Sequence, residues 1–275
     1  IIKCHYNDVL YRLRYAQAFY PWQKLLIDVA CFRKRSQIAD ERFSIEHSDG
    51  LITPSRIMLD EIREQGLKVP AKTAVIPNPF PIPESYENQE ADKPVVLFVG
   101  RIDIGKGIQY LPRMLSILTS KHPDLQLEIA GEDGYARLIG SMKEWLLRQS
   151  GAITSNIRFL GKLNRDGIDS AYRRAWVVIV PSRWDTFPTV VLESMARGKA
   201  IVASPEGGMP EMLEGTQCPI RDPAIEGFSR AVLEFLDNKS LRKRAGSSAR
   251  EKVLKVYDLA IVVRQYINFV RSIQS

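Results

Sequence analysis

Two carboxylates eight positions apart, Asp185 and Glu193, and two cations five apart, Arg101 and Lys106, are the side chains whose types and spacing could do chemistry. Each pair follows a short unbroken apolar run, Val177 to Val180 before the acids and Val95 to Val99 before the cations. Such runs suit strands buried on both faces of a parallel sheet. Loops at the carboxyl ends of those strands are where open α/β sheets bind ligands. Two fixed cations beside a helix start can neutralise a diphosphate. A carboxylate repels phosphate but accepts hydrogen bonds from paired hydroxyls, as on a ribose or a sugar. Taken alone, each pair also describes ordinary surface acids and ordinary surface cations.

The elements that must position them can be read around each pair. Pro181-Ser182 ends the first run, Asp185-Thr186 supplies polar cap candidates, and Pro188 fits a first helical turn. A helix is expected from about Pro188 to Arg197, with Gly198 as its C-cap and a buried strand at Ala200 to Ala203. The free N–H groups at its start favour an anion. Glu193 falls one to two turns in, and Asp185 lies earlier, in the loop, where a sugar beyond the phosphates would sit. On the other side, a strand ends at Gly100, and Arg101 and Lys106 flank a Gly-rich turn into a helix.

In this context the pattern becomes specific. Pro-Ser-x-x-Asp185-x-Phe187-Pro188-x-Val-Val-Leu-Glu193-Ser-Met-Ala-x-Gly resembles the E-x7-E signature of retaining glycosyltransferases of family four, which have the GT-B fold. The first carboxylate, usually Glu, is Asp185 here, one methylene shorter. Gly100-Arg101-Ile-x3-Lys106-Gly is similar to the family's Gly-Arg-Leu-x3-Lys-Gly pattern. Gly131, in Gly-Glu-Asp-Gly, resembles the turn after the second strand, and Leu163, in Gly-Lys-Leu, the segment whose backbone reads the nucleotide base. Glu206-Gly207-Gly208 through Glu211 resembles the family's Gly-Gly-x-x-Glu, with Glu211 a structural acid. His5, in Lys-Cys-His-Tyr, resembles a strand-end His across the cleft from the donor.

The resemblance implies two Rossmann-like domains with parallel sheets, and transfer of a sugar from a nucleotide-diphosphate sugar with retained configuration. Arg101 and Lys106 would bind the diphosphate and stabilise its departure, Glu193 would hold the ribose, and Asp185 and His5 would face the transferred sugar. Thr186, Phe187, Pro188 and Thr189 would form the loop and helix start against the donor. No cofactor or metal is implied, because these cations do what Mg²⁺ does elsewhere. A UDP-linked donor is favoured, and the acceptor, a glycan, lipid or small molecule, would enter between the domains.

Composition bounds the rest. The chain has 275 residues, is 45% hydrophobic and 26% charged, and carries a net charge of +7. That is ordinary for a soluble globular protein and favours anionic partners. Three scattered cysteines, Cys4, Cys31 and Cys218, point to a reducing, cytoplasmic compartment without a disulfide framework. Between residues 11 and 37, six cations and many aromatics stand against one acid, Asp28. Such a stretch fits a core helix with a solvated basic face, or peripheral contact with the anionic inner face of a membrane. No nucleic-acid-binding motif accompanies it.

From Pro94, strands near 95–99, 125–130, 156–160, 176–180, 200–203 and 217–220 alternate with helices near 107–120, 136–149, 166–174, 188–197, 209–214 and 223–237. That alternation predicts a doubly wound parallel sheet. Helices near 240–256 and 258–273 close the chain. The domains expected are 1–85, the acceptor side; 86–257, the donor side; and 258–275, a helix returning to the first domain. Residues 77–93, rich in proline and polar side chains, read as a linker unable to pack a core. The chain does not begin with Met, and a family member would carry roughly a hundred more N-terminal residues completing the first domain. An epimerase of the same fold, or a nucleotide-sugar-binding module without turnover, are the alternatives.

Overall fold

The computed structural model describes residues 2–3, 35–84, 86–136 and 139–274. His5, Cys4, Cys31 and nearly all of the aromatic and basic stretch lie outside the described residues. The chain forms two compact units, Ile1–Pro79 with Leu259–Ser275, and Phe80–Asp258.

In the first unit, strands β1 (Ile2–Lys3), β2 (Leu51–Thr53) and β3 (Thr73–Val75) pair in parallel in that order. Helix α1 spans Arg35–Glu46 and α2 spans Arg56–Glu64. The α2 helix buries Met58, Leu59 and Ile62, a spacing that places them on one helical face. The last helix of the chain, Leu259–Gln274, belongs to this unit and buries Val262 against Ile52 and Ile76.

The second unit is built on a five-stranded parallel sheet. Its strands are β4 (Val95–Val99), β5 (Gln126–Ala130), β8 (Ile157–Gly161), β9 (Val177–Val180) and β10 (Ala200–Ala203), with a small hairpin β6–β7 (Tyr135–Ala136 and Gly140–Ser141) above β5. The order is β10-β9-β4-β5-β8. From β4 the chain winds first to β5 and β8, then returns to lay β9 on the other side of β4. The gap between the carboxyl ends of β4 and β9 is therefore the topological switch point, the place where open sheets of this kind take ligands. Inner strand β9 and edge strand β10 are apolar and buried at every position, because helices cover both faces of the sheet there.

The covering helices are α3 (Leu111–Lys121), α4 (Met142–Ser150), α5 (Arg165–Arg174), α6 (Thr189–Ala196), α7 (Met209–Leu213), α8 (Glu226–Asp237) and α9 (Lys239–Val256), with α10 the Leu259–Gln274 helix of the first unit. Helix α6 ends in the expected glycine stop. Gly198 sits at φ +59, its N–H bonds to Met195 O at 3.0 Å, and Lys199 N–H bonds to Ser194 O at 3.0 Å.

Four expectations need correction. Residues 217–220 form no strand, only a single bridge from Ala203 to Ile220, because Pro219 has no N–H to donate to a ladder. The helix expected from 107 starts at Leu111, since Gly107 is left-handed (φ +84) and two short 3₁₀ turns precede it. The helix expected from 136 starts at Met142, after the hairpin, where the Ser141 hydroxyl accepts from Glu144 N–H at 3.0 Å. The linker segment packs on the second unit: Phe80, Ile82, Tyr86 and Ala91 lie against its core. Its polar groups are met individually, the Trp176 indole donating to Ala91 O at 2.8 Å and Arg250 to Pro83 O at 2.7 Å.

Candidate donor-binding site

The sheet brings both cations and the first of the two carboxylates to one rim. Arg101 to Lys106 follow β4, and Arg183 to Asp185 follow β9, on neighbouring parallel strands. Lys106 Nζ bonds Asp185 Oδ2 at 2.5 Å, both side chains partly exposed. Arg101, largely exposed, pairs with Asp103 Oδ2 at 3.0 Å. Asp103 is also the local anchor of the turn: its Oδ1 accepts the Lys106 N–H at 2.9 Å. Thus one carboxylate orients the turn and steadies one cation, while a second meets the other cation across the switch point.

Backbone proximity fixes this rim. Arg183 N–H donates to Gly105 O at 2.9 Å, joining the loops after β4 and β9. A Cβ on Gly107 (φ +84) would lie 1.9 Å from Pro181 O. Ser204, at the end of β10, is buried and donates from its hydroxyl to Ser182 O at 2.5 Å. Gly207 (φ +62) lies under Asp185, where a Cβ would stand 2.0 Å from Asp185 O, and Gly208 N–H donates to that same oxygen at 2.9 Å. Three loops, after β4, β9 and β10, are locked so closely that only glycine fits at positions 107 and 207.

The α6 start differs from the expected one. Asp185 and Thr186 do not cap it; Pro188 is the N-cap residue, without a side-chain bond to the helix. The proline's extended ψ of 123° carries the chain into the helix one residue later, and its ring has no acceptor to offer the first N–H groups. Thr186, Phe187 and Pro188 are buried, and Thr189 is exposed. Phe187 meets Tyr257 edge to face at 5.5 Å between ring centres, which anchors the loop to the core.

Glu193 is taken into a separate set of contacts. It is half-buried, and its Oε2 accepts from the Tyr172 hydroxyl at 2.9 Å. Burial pushes its pKa up, opposed by the Tyr172 hydrogen bond and the Arg197 charge. Tyr172, wholly buried in α5, is pushed well up by desolvation and then by Glu193. Arg197 stacks over the Tyr172 ring at 4.7 Å and bonds to Asp169. Periodicity did not single out Tyr172, Asp103 or Arg197, because their partners are set by the fold and not by a repeat.

The remaining expected positions fall on the same rim. Gly100 N–H donates to Ala130 O and Gly131 N–H to Gly161 O, each at 2.9 Å, so the ends of β4, β5 and β8 are stitched in sequence. Leu163 is half-buried beyond β8, and Lys162 pairs with Glu132 at 2.7 Å across the β5 and β8 ends. Among the described residues, no group of three or more His, Cys, Asp or Glu side chains is placed to hold a metal ion. No helix among them is long and apolar enough to cross a membrane.

The sequence matches the family described as Glycosyl transferases group 1 over residues 84–252, which takes in the whole rim. The chain belongs to this family. It is 31% identical over 229 residues to glycogen synthase of Mycobacterium tuberculosis, an alignment covering 80% of this chain and 53% of that protein. The chain spans about half the length of the curated relatives it matches. Sucrose-phosphate synthase from Thermosynechococcus elongatus superimposes with a TM-score of 0.73 at 22% identity, over 93% of this chain and 63% of that one. HepE from Anabaena, solved with UDP-glucose, gives 0.72 at 20% identity, over 83% and 65%. The fold of the chain is therefore α/β of the GT-B type.

Proposed function

We propose that this protein is a retaining, metal-independent glycosyltransferase that moves a sugar from a nucleoside-diphosphate sugar, UDP-linked, to a glycan, lipid or small-molecule acceptor. The observation that carries the reading is the Lys106–Asp185 pair at the β4/β9 switch point. The solved Anabaena relative bound to UDP-glucose supports the donor class. In this reading unit Phe80–Asp258 is the donor half, and Ile1–Pro79 with Leu259–Ser275 the acceptor half. The net charge of +7 favours an anionic acceptor or an anionic membrane face beside it.

The chemistry assigned to each group follows from its charge and place. When the anomeric C–O bond to the β-phosphate breaks, the electron pair leaves with the nucleoside diphosphate. Arg101 and Lys106 face that growing charge and lower its cost. The acceptor hydroxyl forms the new bond to the anomeric carbon on the face the diphosphate leaves, and its proton passes to the departing phosphate oxygen. Lys106 is shared between Asp185 and the incoming phosphate, so donor binding draws the ammonium to phosphate and frees the Asp185 carboxylate for sugar hydroxyls. Glu193 accepts from the ribose hydroxyls. Gly100, Gly131 and Leu163 line the nucleotide, and Thr186 to Thr189 close over the phosphates and sugar. His5 is assigned to the sugar from the sequence pattern.

The test begins with thermal unfolding in UDP, GDP and ADP. A nucleotide at a hundred times its dissociation constant stabilises by about 2.7 kcal/mol, roughly 5–11 °C here. We expect the shift with UDP and its loss in Lys106→Ala. Turnover of UDP-glucose is then followed by the anomeric coupling of the product, with and without EDTA. An inverted product, EDTA sensitivity, or no shift with any nucleotide in a folded sample overturns the corresponding part of the reading.

A further inference from the structure

The amino ends of the same strands, on the far side of the sheet from the donor rim, hold a second polar cavity of about 430 Å³. Trp176 and Ala200, at the entry to β9 and β10, and Asn88 and Glu90, before β4, are among the residues that line it. Strands of four or five residues at ~3.3 Å each separate it from the Lys106–Asp185 rim by roughly 13–16 Å. It lies within the size range of small-molecule sites.

Its charge is one-sided. Arg197, Lys199, Lys239, Arg242, Lys243 and Arg250 line it against one lining carboxylate, Glu90. Glu90 is fully engaged by Arg242, whose Nε and Nη2 bond its two oxygens at 2.9 and 2.8 Å. Arg197 is committed to Asp169 and Arg250 to backbone carbonyls. These bonds hold the guanidinium groups in place without cancelling the charge of Arg250, Lys239 or Lys243. Lys239 and Lys243 stand one turn apart on α9, where like charges repel unless something between them is negative.

Lys199 is the odd group. It is buried, yet its ammonium is held by two carbonyls, Arg173 O at 3.2 Å and Ala175 O at 2.7 Å, and by no carboxylate. Burial pulls its pKa down to about 7, with Glu90 opposing that shift and Arg242 and Arg173 adding to it. The donor chemistry described above makes no use of a buried lysine on this side of the sheet. An anion in the cavity would supply its missing counter-charge.

We propose that this cavity is a second binding site, for a phosphate-bearing small molecule, separate from the donor rim. The phosphate would sit between Lys239, Lys243 and Arg250, with Ser247 beside it, while the Tyr86 hydroxyl and the Asn88 amide are already held by Asp169 O at 3.0 Å and Arg197 O at 3.2 Å. One element runs between the two sites: α6 begins at the rim and is followed by Arg197, which packs on the Tyr172 ring bonded to Glu193.

The full chain is titrated with glucose 6-phosphate, inorganic phosphate and free glucose, by calorimetry and thermal unfolding. Saturable binding of glucose 6-phosphate is expected, weaker binding of phosphate, and none of glucose. The Lys106→Ala variant, which removes the donor-rim cation, is expected to bind as the wild type does. Lys239→Ala with Lys243→Ala, both exposed, is expected to fold normally and lose roughly tenfold or more in affinity. A single charge reversal, Lys243→Glu, should act in the same direction. Loss of binding in Lys106→Ala, unchanged binding in the double variant, or no saturation by about 1 mM overturns the proposal. Because the donor rim is read separately by UDP, failure here leaves the donor assignment standing.

Discussion

Gly207 offers the sharpest test of how the rim is held. Its φ of +62 and the approach of Asp185 both exclude a side chain, since a Cβ there would lie 2.0 Å from Asp185 O and 2.8 Å from Asp185 C. Gly215 supplies the control, with φ +74 and nothing within 4 Å of its Cβ position. Alanine in the left-handed region costs about 1–2 kcal/mol at either site. Only Gly207→Ala must also move backbone, an overpacking cost of about 1–3 kcal/mol more. At roughly 2–4 °C per kcal/mol, the extra loss in Tm for Gly207→Ala over Gly215→Ala is about 2–12 °C. The displaced backbone carries Asp185 and its Lys106 partner, and a shift of about 1 Å at a reacting group costs on the order of 10²-fold in rate. The assay compares Tm and donor kcat/KM for the two variants. We expect Gly215→Ala to keep its activity and Gly207→Ala to lose it while remaining folded. Equal Tm losses and equal kcat/KM would refute both the contact and the role given to Asp185.

Three further outcomes are expected. Asp185→Asn keeps the UDP thermal shift, because Arg101 and Lys106 remain, but lowers kcat by about 10²-fold; an unchanged kcat removes Asp185 from the reaction. Glu193→Gln preserves an acceptor for the Tyr172 hydroxyl, so Tm should stay near wild type while the donor KM rises about tenfold at similar kcat; a fall in Tm with no change in KM makes Glu193 purely structural. Lys199 gives a stability signature with a definite sign. Its folded pKa of about 7 lies below the ordinary lysine value of 10.5, so the unfolded chain binds the extra proton between them. Stability therefore rises with pH through that window, with a slope approaching 1.4 kcal/mol per unit, and the full penalty is present below pH 7. Lys199→Met should remove that slope, read as the difference between the two denaturation series from pH 7 to 10; parallel series would show that the ammonium is not strained by burial.

What could be read from the chain, and what could not, follows from how local the cause is. The β4, β9 and β10 strands were legible because an unbroken apolar run needs both sheet faces covered, and that same fact forces their carboxyl ends onto one rim with Arg101, Lys106 and Asp185. The doubly wound sheet followed from the same alternation, and the GT-B class from the resemblance carried by the motifs around Arg101, Lys106, Asp185 and Glu193. The helix start at Met142 was also legible in principle, since Ser141 and Glu144 have the spacing of a capping box, but the periodic signal upstream drew the boundary too early. Pro219 should likewise have counted against a strand at 217–220. Other features have no local cause. Tyr172 and Glu193 meet across 21 positions, and Arg250 reaches Pro83 across 167. The proline-rich stretch before β4 packs because distant arginines and a tryptophan donate hydrogen bonds to its carbonyls, which composition cannot foretell. Lys199 is the clearest case. A lysine one residue before a buried strand reads as a surface residue snorkelling outward, and only the closure of α9 over β10, backbone to backbone at Gly198 and Gly246, turns it inward. The residues that carry the family pattern thus sit where short-range signals are strong, whereas the basic cavity was assembled by packing alone, which is why motif spacing pointed to the first and was silent on the second.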